Sequence, residues 1–284
     1  MTIPRPDHRF TLGAGLEGAC TLGPRGPLTV IAGPCQLQSA DHAQMIAGTL
    51  QEICACNGLN FVFKASFDKA NRSAHDAERG PGAAAGLGIL RDLRKALGVP
   101  VTTDLHLPEQ AGEVAEAVDL LQIPAFLSRQ SDLLAAAAAT GRPVNVKKGQ
   151  FLAPWDMEQV VGKLMAAGGR QIALTERGSS FGYNRLVADL TGLPRMAETG
   201  CPVIMDATHA VQLPGGAGHA SGGRREDAPA LARAAVAVGV SGIFLETHED
   251  PASAPSDGAV MQSLSSMPAL LEQLARLHRL VSSF

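Results

Sequence analysis

The residues with the clearest chemical potential lie between 61 and 82, where a short apolar run turns abruptly cationic. In an extended chain, Lys64 and Ser66 at the end of that run share one face. Further cations follow, interleaved with small polar donors: Lys69, Asn71, Arg72, Ser73 and Arg79. Such groups at the carboxyl end of a strand suit phosphates and carboxylates. The alternative interpretation is a solvated charged loop.

Two later apolar runs also end on cations. Period-two alternation puts Lys147 and Arg177 on the inward face of their predicted strands, as it does Lys64, whereas Lys148 points the other way. Three cations from three strands would then meet at one mouth, which is hard to explain structurally unless anions neutralise them. The alternative is that each pairs with a nearby carboxylate such as Glu176 or Asp104.

Four possible metal ligands follow other apolar runs. They are Cys35, His209, Glu246 and Asp257. A thiolate, an imidazole and carboxylates together suit Zn(II), Fe(II) or Mn(II) better than Mg(II). Each residue alone is weak evidence, because a lone cysteine is more often a buried core residue. The metal hypothesis therefore depends on a fold that brings the four together.

Short apolar runs alternate along the chain with Ala- and Leu-rich stretches of helical period. The predicted strands are 28–32, 61–65, 101–103, 120–123, 144–147, 171–175, 203–207 and 242–246. The predicted helices are 40–57, 84–97, 109–117, 131–139, 155–167, 184–199, 227–238 and 267–281. Eight strands alternating with eight helices predict an α/β fold, a (β/α)8 TIM barrel, with a doubly wound open sheet as the alternative. Glycines in 9–22 predict a short N-terminal β-hairpin.

No linker-like stretch divides the chain, so 1–284 is expected to be a single catalytic barrel domain. Barrel closure places the first strand beside the eighth and the seventh on the eighth's other side, which would gather the four candidate ligands. Barrel chemistry sits in the βα loops, and polar residues such as Asp104 and Gln122 fall there. The glycine-rich stretch 213–225 is either a surface loop or a lid over substrate.

Composition excludes several classes of partner. With 45% hydrophobic residues, 18% charged residues and a net charge of −3, the 284-residue chain lacks the basic field of a nucleic-acid binder. One Trp and one Tyr argue against a base-stacking platform. No apolar run approaches the ~20 residues of a membrane span. Five cysteines without a disulfide pattern, and no export signal, predict reduced thiols and a cytoplasmic protein.

Eight motifs, in order over nearly the whole chain, resemble the 3-deoxy-D-manno-octulosonate 8-phosphate synthase family. They are IAGPC at 31–35, FKASFDKANRS at 63–73, RGPG at 79–82, LQIPAFLSRQSDL at 121–133, NVKKGQF at 145–151, TERG at 175–178, DATHAVQLPGG at 206–216 and ETHEDP at 246–251. KANRS separates this family from the sister synthase that makes the seven-carbon shikimate precursor. The cysteine of IAGPC is similar to the metal-dependent branch, whereas the metal-independent branch has asparagine there.

The resemblance implies a (β/α)8 barrel, commonly a homotetramer, with a divalent metal ion (Zn, Fe(II) or Mn(II)) and no organic cofactor. It implies a transferase that condenses phosphoenolpyruvate with D-arabinose 5-phosphate and water to give 3-deoxy-D-manno-octulosonate 8-phosphate and inorganic phosphate, for the inner core of lipopolysaccharide. The alternatives are a related synthase with another aldose acceptor, a metal-dependent hydrolase barrel and a barrel kept as a binding scaffold.

Residue roles also follow from the resemblance, motif by motif. Phosphoenolpyruvate would be held by Lys64, Ser66, Lys69, Gln122, Lys147 and Arg177. Arabinose 5-phosphate would be held by Asn71, Arg72 and Ser73, with Arg129 reaching across a subunit boundary. The metal would be bound by Cys35, His209, Glu246 and Asp257. Lys69 is the candidate for proton delivery to the aldehyde oxygen, and Asp104 or His209 for assisting water deprotonation.

Overall fold

A ring of eight parallel strands forms the centre of the protein. A computed structural model describes residues 6–71, 75–216 and 221–284. Its strands, in chain order, are β1 (Phe10–Leu12), β2 (Cys20–Leu22), β3 (Thr29–Gly33), β4 (Asn60–Lys64), β5 (Val101–Asp104), β6 (Leu120–Ile123), β7 (Val144–Lys147), β8 (Ile172–Glu176), β9 (Ser179–Ser180), β10 (Leu186–Val187), β11 (Val203–Asp206), β12 (Gln212–Leu213), β13 (Gly222–Gly223), β14 (Gly242–His248) and β15 (Gln262–Ser263).

Strands β3 to β8 pair in sequence, β8 pairs with β11, β11 with β14, and β14 with β3, all in parallel. The last pairing closes the ring and confirms the predicted (β/α)8 barrel. It also sets Glu246 directly opposite Gly33, two residues before Cys35.

Helices connect the barrel strands on the outside. They are α1 (Ala40–Asn57), α2 (Gly82–Leu97), α3 (Ala111–Ala117), α4 (Ser131–Ala139), α5 (Met157–Ala166), α6 (Gly192–Ala197), α7 (Ala228–Val238) and α8 (Met267–Val281). In α1, Ser39 caps the start by accepting a hydrogen bond from the backbone of His42, and Gly58 ends the helix in the left-handed conformation. Its buried residues follow a helical spacing and face the strands: Ala43, Ile46, Ala47, Leu50 and Cys54.

One predicted helix, 184–199, is wrong over most of its length. Its first part forms a small hairpin, in which Leu186–Val187 pairs with Ser179–Ser180, and only Gly192–Ala197 is helical. Asn184 has a positive φ of 52°, and the backbone N–H of Thr191 donates to the Asp189 side chain. Asn and Asp favour such turns because their side chains hydrogen bond to nearby backbone groups.

The N-terminal hairpin of β1 and β2 closes the barrel at the amino ends of the strands. Its apolar side chains pack against inward-facing residues of the ring; this cluster is Phe10, Leu12, Cys20, Leu22, Ile31, Val62, Leu120, Ala173, Ile204 and Phe244. The amide of Asn60, at the start of β4, donates to the backbone oxygen of Thr21. The hairpin is therefore confirmed, and it leaves only the carboxyl end of the barrel open for chemistry.

Gly33 is expected to be intolerant of a side chain. A Cβ at this position would lie 2.1 Å from the backbone oxygen of Lys64, so the first two barrel strands would have to separate. We expect Gly33→Ala to cost about 1–3 kcal/mol in the free energy of unfolding. Gly48, inside α1, is the matched control, because a Cβ added there would meet no atom within 4 Å. Gly48→Ala should therefore stabilise the protein by about 0.5–1 kcal/mol. Urea unfolding of both variants measures the difference, and equal midpoints would contradict it.

Candidate active site

A cavity of about 800 Å³ opens at the carboxyl ends of the barrel strands. Polar residues from the ends of β4 to β8 and from the loops beyond them line it. Among them are four cations that the sequence placed there: Lys64, Lys69, Lys147 and Arg177. The predicted site residues Asn71, Asp104, Gln122, His209 and Asp257 also line this cavity. The barrel thus concentrates positive charge in one enclosed space, where the low dielectric strengthens its effect on an anion.

Two of the lysines are tied together by one hydroxyl group. The Nζ atoms of Lys64 and Lys69 lie 3.0 and 3.1 Å from Ser66 Oγ. Ser66 in turn donates to Asp104, which also accepts from the Gln122 amide. Burial opposes the ionisation of Asp104, but the two lysines hold its pKa well below the usual range. Asp104 is therefore a fixed anion that orients the lysines.

Lys64 also pairs with a carboxylate across the barrel. Its Nζ lies 3.0 Å from Glu246 Oε1, and both side chains are almost fully buried. Burial by itself would lower the pKa of Lys69, but the acidic groups around it, among them Cys35 and Glu246, raise that pKa. Lys69 forms no ion pair within 4 Å among the described residues. Its charge is thus left available to a bound anion.

Lys147 enters the cavity from β7, three strands along the ring from the β4 strand of Lys64. Its Nζ lies 2.7 Å from Asp206 and 3.7 Å above the ring centroid of Phe244. Burial lowers the pKa of Lys147, and Asp206 offsets only part of that effect. The idea that the cations pair with local carboxylates thus holds for Lys64 and Lys147, although their partners are Glu246 and Asp206 rather than Glu176 or Asp104.

Arg177 reaches the cavity from the end of β8. Its guanidinium donates to the backbone oxygen of His209 at 3.2 Å and to the Gln212 side chain at 2.7 Å. The Gln212 amide then donates to Asp257 at 2.7 Å. Gln212 therefore links the cationic side of the cavity to the candidate metal ligands.

The four candidate metal ligands come together although up to 222 positions separate them in sequence. Cys35 Sγ lies 3.0 Å from Asp257 Oδ2, and single ligand atoms of Cys35, Glu246 and Asp257 lie within 4.8 Å of one another. His209 Nε2 lies 3.6 Å from Glu246 Oε2 and 3.9 Å from Asp257 Oδ2. Asp257 adopts a positive φ of 55°, an uncommon conformation for a residue with a side chain.

This donor set fits a divalent cation. Glu246 Oε2 is buried and accepts no hydrogen bond from the described residues, which is costly for an ionised oxygen unless a cation is nearby. Asp206 accepts from both the backbone N–H and Nδ1 of His209, at 2.8 and 2.7 Å, and so leaves Nε2 to face the other ligands. A carboxylate that orients a ligating histidine in this way is common at metal sites.

The charges of the candidate ligands also favour a divalent cation. Burial raises the pKa of the Cys35 thiol, and the nearby Asp257 and Glu246 raise it further. Burial opposes ionisation of Asp257, but His209 and Lys69 hold its pKa below the usual range. Without an ion, the thiol therefore keeps its proton and donates a hydrogen bond to Asp257, and the carboxylates stay negative. A divalent cation would replace that proton.

Sequence reasoning missed a buried ion pair behind the site. Lys148 is fully buried, 3.6 Å from Glu176, and donates to the backbone oxygen of Leu152 and to Ser179. Glu176 accepts from the backbone N–H groups of Arg177 and Gly178. Burial lowers the pKa of Lys148 and raises that of Glu176, and each partner offsets the shift of the other. The pair fixes the backbone that presents Arg177.

Lys148→Met is expected to destabilise the fold by about 3–5 kcal/mol, because it leaves Glu176 buried without its cation. The double variant Lys148→Met/Glu176→Gln should recover much of that loss, since no uncompensated charge remains. Urea denaturation of the two single variants and the double variant measures the coupling. Strictly additive losses would contradict the proposed pairing.

The remaining predicted residues are placed as follows. Arg129 is exposed and does not line the cavity within one chain. Arg72 and Ser73 lie outside the described residues, as do 217–220 of the glycine-rich stretch, while its flanking Gly215 and Ser221 line the cavity. The sequence places Asp206 after a strand end but gives it no role, and Gln212 and Phe244 were not predicted as site residues. Phe244 could have been found, since it shares the inward face of its strand with Glu246.

Within the described ranges, no helix has both the length and the apolar composition needed to cross a bilayer.

Taken together, the closed barrel, the cationic cavity at its carboxyl end and the adjoining sulfur, nitrogen and oxygen donors define an enzyme-type site for multiply anionic substrates. The sequence profile of the DAHP synthetase I family matches residues 14–283. The chain belongs to this family and, within it, groups with the 2-dehydro-3-deoxyphosphooctonate aldolases, a synonym for the 3-deoxy-D-manno-octulosonate 8-phosphate synthases that the motifs resemble.

Curated relatives carry that name. The protein of Chelativorans sp. (strain BNC1) is 60% identical over 257 residues, covering 90% of this chain and 93% of the relative. That of Rhizobium meliloti (strain 1021) is 56% identical over 268 residues, covering 94% and 95%. That of Agrobacterium fabrum is 59% identical over 246 residues, covering 87% of each. These similarities span almost the whole barrel and are far too high for a match of fold alone.

Proposed function

We propose that this protein is a transferase that condenses phosphoenolpyruvate with D-arabinose 5-phosphate and water. The products are 3-deoxy-D-manno-octulosonate 8-phosphate and inorganic phosphate, for the inner core of lipopolysaccharide. The observation that carries the proposal is the meeting of Lys64, Lys69, Lys147 and Arg177 in one cavity, where Ala70 and Asn71 of the motif KANRS also form part of the lining. Relatives with 56–60% identity and the corresponding name support the choice of substrates.

Phosphate release tests this proposal. The full-length protein is incubated with phosphoenolpyruvate alone, with added arabinose 5-phosphate, and with added erythrose 4-phosphate, and the products are identified by mass. We expect release only with arabinose 5-phosphate, and one eight-carbon product. Preference for erythrose 4-phosphate would instead support the alternative, a related synthase with another aldose acceptor. Release without any acceptor would support a hydrolase.

The cations address the main obstacle to this reaction, which is the mutual repulsion of two multiply charged anions in a dry cavity. Lys64, Lys69, Lys147 and Arg177 would balance the carboxylate and phosphate of phosphoenolpyruvate and hold its C3 near the aldehyde carbon of the sugar. Asn71, Arg72 and Ser73 would hold the sugar phosphate. C3 then attacks the aldehyde, water adds at C2, and the bond between C2 and the phosphate oxygen breaks.

Cys35, His209, Glu246 and Asp257 would hold a divalent ion such as Zn(II), Fe(II) or Mn(II). A bound ion of this kind can acidify water or polarise an aldehyde oxygen. The fit rests on the buried Glu246 Oε2, which accepts no hydrogen bond from the part of the chain that the structure describes, and on the orientation of His209 by Asp206. Repeating the phosphate-release assay after treatment with a chelator tests it: activity should fall after chelation and return when the ion is restored.

We propose a separate role in proton transfer for each of three groups at the site. Lys69 lines the cavity, and we propose it as the donor to the aldehyde oxygen, which becomes a basic alkoxide as C3 attacks. The acidic groups around Lys69 raise its pKa, so it stays charged and binds anions until that alkoxide forms. Asp104, an anion fixed by Ser66 and Gln122, and His209, fixed by Asp206, are the candidates for receiving a proton from water.

Arg72→Ala is expected to raise the KM for arabinose 5-phosphate by about 10- to 100-fold and to change the KM for phosphoenolpyruvate little. The reason is that a charge-assisted hydrogen bond to a phosphate is worth about 1.5–3 kcal/mol. Arg276→Ala is the matched control, because Arg276 is exposed on α8 and is not among the residues that line the cavity. Steady-state kinetics in both substrates measures this, and equal increases in the two KM values would reject the assignment.

We also propose that the protein is a homotetramer in a reducing cytoplasm. Large apolar side chains are exposed on loops at the carboxyl end of the barrel: Phe126, Phe151, Trp155, Phe181 and Tyr183. A second copy covering this face would bury them and would bring Arg129 towards a neighbouring cavity. All five cysteines are free, which suits a reducing compartment. Light scattering of the purified protein tests the assembly.

A further inference from the structure

A second group of metal-ligating side chains lies outside the cavity. His42 is in the first turn of α1, His248 is the last residue of β14, and Glu249 follows it. Single donor atoms of these three residues lie within 4.8 Å of one another. Among the described residues that line the cavity, none of the three occurs. The cluster is therefore separate from the group around Cys35, although β14 contributes to both.

The spacing of the donor atoms is that of a metal site. Glu249 Oε2 lies 3.0 Å from His42 Nε2 and 3.4 Å from His248 Nδ1. For metal bonds of about 2.0–2.2 Å in a tetrahedral arrangement, neighbouring ligand atoms stand about 3.3 Å apart. Two of the distances between donor atoms are therefore already close to those of a tetrahedral metal site. The two imidazole rings are neighbours, with centroids 4.9 Å apart and planes tilted by 42°.

The surroundings of His248 hold its ring next to Glu249. Its Nδ1 lies 3.4 Å from a carboxylate oxygen of Glu249. The backbone N–H of Asp250 donates to the same nitrogen at 3.1 Å, a hydrogen bond that a metal ion at Nδ1 would replace. Nε2 of the ring lies 2.7 Å from the Gln38 amide, which holds the ring in place from the other side. A partner of this kind commonly orients a ligating histidine.

We propose that His42, His248 and Glu249 form an accessory site for a divalent transition-metal ion such as Zn(II) or Co(II). Two imidazole nitrogens and one carboxylate oxygen suit such ions and disfavour Mg(II) and Ca(II). Glu249 is exposed and His42 is partly exposed, so the fourth position is open to water and the ion can enter. Binding would connect the start of α1 to the end of β14, two residues after Glu246.

Metal titration of the full-length apoprotein tests this site without using catalysis as the readout. With Co(II), we expect two ions per chain, of which only the one at Cys35 gives a thiolate charge-transfer band. His42→Ala and Glu249→Gln should each lower the second affinity by at least tenfold and leave that band unchanged. Cys35→Ser should do the reverse: the band is lost, and the second ion is kept.

Matched substitutions on the same chain control for general effects. His8 and Glu52 are exposed and lie outside both groups, so His8→Ala and Glu52→Gln should retain two ions. Binding of one ion only, with the charge-transfer band, would overturn the accessory site and leave the proposed function intact. Retention of two ions by both His42→Ala and Glu249→Gln would overturn it as well. Failure of the phosphate-release assay with two ions bound would reject the proposed function alone.

Discussion

Cys35→Ser is expected to remove the divalent ion from the barrel mouth and to lower kcat/KM by about 100-fold or more. Cys35 is fully buried, and its sulfur lies 3.0 Å from Asp257. A water molecule from the bulk solvent therefore cannot readily replace the thiolate as a ligand. A serine hydroxyl fills the same space but does not ionise near neutral pH. Substituting a residue that only hydrogen bonds to a metal ligand already lowers metal affinity or activity by about 10- to 100-fold.

Metal analysis and kinetics on the same preparations measure this prediction. Cys54→Ser is the matched control, because Cys54 is also buried but lies in α1, where burial raises its pKa to about 12. We expect the control to keep its metal and its activity. Cys35→Asn, which introduces the residue of the metal-independent branch, should also lose metal. Full metal content and full activity in the Cys35 variants would reject the ligand assignment.

The barrel itself could be predicted because eight short, mainly apolar runs alternate with eight stretches of helical period, the order of elements in a (β/α)8 barrel. Runs such as 120–123 and 144–147 match β6 and β7 residue for residue, and the helix at 40–57 matches α1. Each of these is bounded by a local signal, such as Gly58 after α1. The error at 184–199 arose where Asn and Asp turns interrupt a composition that otherwise favours a helix.

The inward direction of the cations was also predictable, since side chains alternate along a strand. Lys147 lies in the cavity wall, and Lys148 lies behind it, as period two requires. Their partners were not predictable. Lys147 pairs with Asp206, 59 positions later, and Glu176 pairs with Lys148 rather than with a cavity cation. Such pairings depend on the distances between side chains of different strands. The alternation of side chains along one strand gives no information about those distances.

Lys147→Met is expected to lower kcat/KM for phosphoenolpyruvate by about 10²–10³-fold while leaving the metal content unchanged. Truncating one partner of a buried, hydrogen-bonded charge pair costs about 2–5 kcal/mol, and each 1.4 kcal/mol is tenfold. Lys147 belongs to such a pair, since it is buried and bonded to Asp206. Its Nζ also lies 3.7 Å above the Phe244 ring, and burial lowers its pKa. An anion in the cavity would therefore gain more from this charge than from a solvated lysine.

Comparison with a surface lysine isolates that effect. Lys95 lies exposed on α2, so Lys95→Met should leave both kinetic constants within about twofold of the original protein. In Lys147→Met, Asp206 still accepts from the backbone N–H and from Nδ1 of His209, so the ion should stay bound. Loss of metal together with activity would mean that Lys147 acts through His209. Retained metal with an undiminished kcat/KM would show that the anion does not bind where the four cations meet.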